Sequence, residues 1–307
     1  MPTLTTPANT SPEVHTQGRG ITYGALAYVL WGLFPAYWPL LVPAQPVEVL
    51  AHRIVWSFVT LAIVVALLRR WRPFLELSGR GWLIVTAAAV LITVNWGTYI
   101  YAVNSHHVVE SALGYFITPL VSVALGVIFL KERLRLAQSV AIGVVVVAVI
   151  VLTADYGRLP VISLVLACSF GVYGLLKKKV PLDAISSLTA ESAVIAPIAL
   201  VYLLVLGSAN TFTTEGTGHV LLLLSTGVVT AVPLVLFGAG AQRIPLITMG
   251  MLQYLAPILQ FAWGVFVVHE PMPASRWTGF GLVWLALAVF TVDAVRNRRK
   301  QALAPVS

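Results

Sequence analysis

NWGTYIYAVNSHHVVESALGYFITPL, residues 95–120, reads as the end of one membrane helix, a tight polar turn and the start of the next. Asn95, Tyr99 and His106 fall near one helical face if the first helix runs that far. Glu110 and Ser111 stand where the second helix would begin, and Pro119 falls inside it. Polar side chains, Gly114 and a proline thus lie within or beside apolar runs. In lipid such groups are costly, so they face protein or a water-filled cavity. The hairpin therefore reads as half of a central pathway.

Outward from this hairpin, apolar runs of roughly 20 residues recur, each long enough to cross a bilayer. The chain has 307 residues, 59% hydrophobic and 10% charged, with mean hydropathy +0.91; soluble domains carry about 25% charged residues. The reading is an all-α polytopic membrane protein with ten spans, near 20–41, 48–68, 82–104, 110–130, 136–153, 160–176, 185–206, 219–240, 246–268 and 275–294. Residues 1–19 are polar and lack an apolar core, so they read as a disordered cytoplasmic tail rather than a cleaved signal. Residues 296–307 form a basic cytoplasmic tail.

The net charge of +8 follows membrane topology and does not call for nucleic acid. With both termini inside, 16 of the 19 Lys/Arg fall in cytoplasmic loops and tails; Arg158 and Arg276 fall outside and Arg53 within a span. Such asymmetry over short loops sets orientation. Cys168, the single cysteine, allows no intrachain disulfide and reads as buried in the sixth span.

A shift of 138 residues lays spans four and five on nine and ten: Pro119 meets Pro257, Gly126 meets Gly264, Glu132 meets Glu270, Gly143 meets Gly281, and Phe116 meets Tyr254. Gly32 and Gly171 align near the same offset. The expectation is two five-helix halves, 20–154 and 155–295. Five is odd, so the halves run in opposite senses, the architecture of many secondary transporters.

The blocks AHRIVWS (51–57), 95–120, LKERL (130–134), GVVTAVPLVLF (227–237) and QYLAPILQF (253–261) resemble the EamA branch of the drug/metabolite transporter superfamily. The resemblance covers about 20–295. It implies two EamA repeats of five helices, cytoplasmic termini, and a plasma-membrane secondary carrier of a small metabolite or amphiphilic compound, working as an efflux permease by alternating access. Thr118 and Ile258 depart from the family pattern beside the two prolines.

Arg53 reads as an anchor for an anionic substrate, as a charge paired with Glu48 or Glu110, or as a guanidinium snorkelling to the interface. Glu191, the acidic residue most deeply placed in any apolar run, reads as the proton-coupling candidate or as a near-interface glutamate bonded to Ser187 or the Lys177–Lys179 cluster. Trp56, Asn95, Tyr99, Asn104, Tyr115, Gln253 and Tyr254 are candidates for substrate contact along the pathway, or for interhelical hydrogen bonds. Pro119 and Pro257 are gating kinks. Trp38, Trp71, Trp82 and Trp277 read as interfacial belt residues, Trp31 as deeper. No HExxH, P-loop, GxSxG or GxGD pattern occurs, so neither metal nor cofactor is expected and the chain does not read as an enzyme. The partners implied are a small-molecule substrate, the lipid bilayer and at most a homodimer. A channel, a non-transporting membrane subunit and, further off, a membrane-embedded enzyme are the alternatives.

Overall fold

The computed structural model describes residues 12–130, 135–177, 179–241, 243–244, 249 and 252–302. These hold ten helices of twelve residues or more: α1 (Pro12–Gly32), α2 (Pro46–Leu67), α3 (Gly79–Asn104), α4 (Val108–Leu130), α5 (Leu136–Tyr156), α6 (Val161–Lys177), α7 (Ala184–Leu206), α8 (Gly216–Ala241), α9 (Leu255–Phe266) and α10 (Ala274–Ala302). Seven of them, α2 to α5, α7, α8 and α10, are long and apolar enough to cross a membrane. An eighth span forms if α1 is joined to the segment Phe34–Leu41 across a 42° bend. The helices α6 and α9 are shorter; α9 is about 18 Å long at 1.5 Å per residue, against a hydrocarbon core of about 30 Å. The chain is a multi-pass, helical membrane protein.

One tail differs from expectation. Residues 12–19 continue α1 rather than forming a disordered segment, because Pro12 suits a first helical turn, where no N–H is needed. At the other end α10 carries residues 296–302 as helix, as basic residues favour a helix C-terminus. The repeat positions Gly126, Glu132 and the LKERL block fall wholly or partly outside the described residues and side chains.

Helix pairing shows a pattern. The principal partners are α1 with α8 and α3 with α6, α4 with α6 and α1 with α9, and α2 with α8 and α3 with α7. Three further pairs are α2 with α7, α4 with α9 and α5 with α10. Exchanging each helix of the first five for the helix five later returns the same set. Gly32 and Gly171 show it in atoms. A Cβ on Gly32 would lie 2.7 Å from Leu259 on α9, and one on Gly171 would lie 3.2 Å from Val121 on α4. Leu259 stands 138 positions after Val121.

Trp38 is not an interfacial belt residue: it is fully buried, seated under Arg53. Trp71 and Trp277 are exposed and Trp82 is half-buried. Cys168 is exposed rather than buried. The inward face of α6 is formed by Ile162, Ser163, Leu166, Ala167, Ser169 and Gly171, which leaves Cys168 on the outward one.

Candidate functional site

Prolines open the helices where the cavity lies. A proline lacks an N–H and its ring bars the carbonyl four residues back. Pro35, Pro119 and Pro257 therefore free the carbonyls of Trp31, Tyr115 and Gln253, and all three of those residues line one cavity of about 420 Å³. The Trp31 carbonyl accepts from Gln260 Nε2 at 3.1 Å. Pro119 lies inside α4. Around Pro257 the chain turns at Gln253 and Tyr254 before α9 begins, so this span is interrupted and not merely bent.

The cavity wall repeats the exchange seen in the packing. Ile92 and Thr230, Trp96 and Leu234, Tyr99 and Phe237, Tyr115 and Gln253, and Thr118 and Ala256 all line it. Each pair is 138 positions apart. Trp31 and Phe170, and Phe34 and Tyr173, also line it, at 139 positions.

Of the residues expected to line the pathway, Arg53, Asn95, Tyr99, Tyr115 and Gln253 do so, and Pro257 with them. Asn95 is fully buried and fastens three helices. Its Nδ2 donates to Leu166 O and Ser169 Oγ, each at 3.0 Å, and its Oδ1 accepts from Tyr115 at 3.2 Å. Trp56, Asn104, Tyr254 and Pro119 do not line the cavity. Trp56 donates to His52 Nδ1 at 3.2 Å and stacks on Phe212. Asn104 closes α3, and Tyr254 packs on the apolar core of α4, α5 and α10. Sequence reading missed Trp96, Tyr173, Lys177, Thr230 and Gln260 as lining residues.

Arg53 is 3% exposed. Its Nε donates to Thr230 Oγ1 at 3.1 Å. Its guanidinium lies 4.0 Å from the Trp96 ring centroid, 4.9 Å from Trp38 and 5.6 Å from Phe34. The expected carboxylate partners are engaged elsewhere. Glu48 accepts from Thr211 N at 2.7 Å and Thr211 Oγ1 at 2.8 Å. Glu110 pairs with Arg158 at 2.9 Å and accepts from Ile162 N at 3.1 Å. Nor does Arg53 snorkel: its guanidinium is held among Trp96, Trp38, Phe34 and Thr230 at the cavity wall.

Glu191 stands 138 positions after Arg53 and is equally buried. It pairs with Lys177 Nζ at 2.6 Å and accepts from Ser187 at 2.8 Å and Tyr173 at 2.9 Å. Its neighbours Tyr173 and Lys177 correspond, 139 positions on, to Phe34 and Trp38 beside Arg53. The two stations thus share one framework with different chemistry: a closed ion pair at one, a cation among rings at the other.

Beyond the cavity, the loop ends of α4, α5, α9 and α10 are tied by charge. Glu270 accepts from the backbone of Val108 at 2.5 Å and Val109 at 3.1 Å. Arg276 pairs with Asp155 at 3.1 Å. Partial burial is the main cause that raises the Glu270 carboxyl to about 7.

A multi-pass helical bundle around a central cavity with buried polar groups has the build of a membrane transport protein. Residues 18–154 match the EamA-like transporter family. A Streptomyces exfoliatus protein named RarD is 54% identical over 288 residues, covering 92% of this chain and 91% of that one. The Bacillus subtilis uncharacterized transporter YojE is 45% identical over 92% of this chain and 96% of its own. RarD of Escherichia coli K12 is 37% identical over 92% and 97%. A solved crystal structure, 16% identical, aligns with 90% of this chain and 98% of its own with a TM-score of 0.59, which bears on the fold alone. The chain belongs to the EamA-like transporter family, with the RarD proteins among its near relatives.

Proposed function

We propose that the chain is a RarD-like secondary transporter of the plasma membrane that moves a small metabolite or amphiphilic compound through the central cavity by alternating access, in the efflux direction. The observation that carries this is the exchange of helices and cavity residues between 20–154 and 155–295. It supports ten crossings in two inverted five-helix repeats, with both termini cytoplasmic. In such a carrier the substrate site lies where the repeats meet, and rocking of one half against the other opens it to each side in turn. The proline inside α4 at Pro119 and the interruption just before Pro257 supply the flexing points. The ties among Glu270, Val108, Asp155 and Arg276 close the external side, and the cavity reaches Lys177 at the cytoplasmic end of α6. Glu191 acts as the coupling group through its pair with Lys177.

The test compares extracellular and intracellular small molecules of cells with the gene deleted and overexpressed, followed by uptake of the responding compound into inside-out vesicles. The expected outcome is gradient-driven, saturable uptake that Glu191→Gln uncouples from pH while exchange persists. Flux that never saturates would replace the carrier with a channel.

A further inference from the structure

We propose that the cavity binds an organic monoanion with a flat apolar body, its anionic head seated on Arg53. This deepens the transport reading and rests on it.

A guanidinium carries five N–H donors. Thr230 takes the one on Nε, and Nη1 is buried with no partner. Ion pairs among the described residues leave Arg53 out: Glu110 is held by Arg158 and Glu191 by Lys177, while Glu48 is spent on Thr211. A buried cation without a counter-charge is costly, and a buried donor without an acceptor adds to the cost. The rings of Trp96, Trp38 and Phe34 offset part of it by cation–π attraction but accept no in-plane hydrogen bond. What completes the site is an anionic oxygen.

The charge of the ligand follows from the count. Among the described residues, the charged ones lining the cavity are Arg53 and Lys177, and Glu191 neutralises Lys177. One positive charge is left over, which suits a monoanion and repels a cation. The body of the ligand follows from the wall. Tyr28, Trp31 and Phe237 meet edge to face or tilted at 5.2 to 6.1 Å between centroids, a surface that takes a flat ring.

The test uses purified full-length protein and three compounds matched in shape: 3-phenylpropionate, 3-phenylpropionamide and 3-phenylpropylamine, with charges of about −1, 0 and +1. Binding is read by calorimetry. The acid is expected to bind at least about tenfold more tightly than either isostere. Arg53→Gln should abolish that preference and Arg53→Lys restore it in part, since lysine lacks the planar fork. Equal binding of the three compounds, no binding of the acid at millimolar concentration, or an intact preference in Arg53→Gln would each overturn the proposal. Should Arg53→Gln not fold, the charge series on the natural protein decides alone. Flux of neutral compounds without anion preference would remove this inference and leave the transport reading. Anion-selective binding without any flux would do the reverse.

Discussion

Glu270 Oε1 and the backbone N–H of Val108 meet at 2.5 Å, which joins the loop after α9 to the start of α4. The carboxyl is raised to about 7, chiefly by burial, with Glu110 adding to the rise and Arg276 opposing it. A folded pKa above the ordinary value of 4.5 means that the folded state holds this proton more tightly than the unfolded chain does. Its contribution to stability is therefore present below about 4.5 and is lost as pH rises toward 7. Glu270→Gln keeps an acceptor for Val108 and has no proton to lose. The Tm of the purified natural protein should fall between pH 5 and 7 more steeply than that of the variant; parallel curves would show that Glu270 does not titrate in that range.

Arg53 and the nearby carboxylates are independent. If Glu48 or Glu110 balanced Arg53, removing both charges would restore what one removal costs. Each carboxylate has its own partners, so Arg53→Gln combined with Glu48→Gln or Glu110→Gln should show additive losses within about 0.5 kcal/mol. A double variant more stable than Glu110→Gln alone would contradict the observed geometry.

Lys177 and Glu191 should behave in the opposite way. Glu191→Gln leaves a cation on the cavity wall and should cost about 2–3 kcal/mol, below the range for fully buried pairs because Lys177 is partly exposed. Adding Lys177→Gln should recover more than half of that loss, measured by thermal unfolding in detergent.

Gly227 sets the closest approach of α2 and α8. A Cβ there would overlap the carbonyl oxygen of Trp56 and lie 2.6 Å from Thr60 Oγ1. Backbone cannot yield as a side-chain tip does, so Gly227→Ala should cost at least about 1–3 kcal/mol and Gly227→Val should abolish folded protein. Gly143→Ala, where a Cβ meets nothing within 4 Å, serves as the control. The readout is the monodisperse fraction in size-exclusion chromatography.

Orientation is checked by labelling single cysteines in a Cys168→Ser background. Asn210 is a poor site because its side chain is buried and holds Phe212 N and Leu203 O. Ser78→Cys and Thr217→Cys are exposed instead. In intact cells an impermeant maleimide should label the cysteine at 217 and leave that at 78 unlabelled; the reverse pattern would invert the topology.

Hydropathy made the helices legible because a span must satisfy its own backbone in lipid. The polar hairpin at 95–120 pointed to the cavity, since Asn95, Tyr99 and Tyr115 all reach it. Spacing did not reveal depth around the helix axis. Trp38 and Cys168 were misjudged for that reason: which face is inward depends on neighbours far along the chain. The partners of Arg53 were illegible on the same ground, as Thr230 lies 177 positions away. The 138-residue offset, extended from spans four and nine to two and seven, places Glu191 on Arg53 and would have marked both stations together.

The matched walls of the cavity have a consequence for how a ligand lies. Ring answers to ring at three of the matched pairs, Trp31 with Phe170, Phe34 with Tyr173 and Tyr99 with Phe237, so a flat molecule turned end for end keeps part of its ring contacts. The stations at Arg53 and Glu191 differ in charge between the two ends, one offering a bare positive charge and the other a pair already closed. The charge that orients the bound molecule thus sits on a single guanidinium, and without it the same occupant loses that distinction between two placements related by a half-turn.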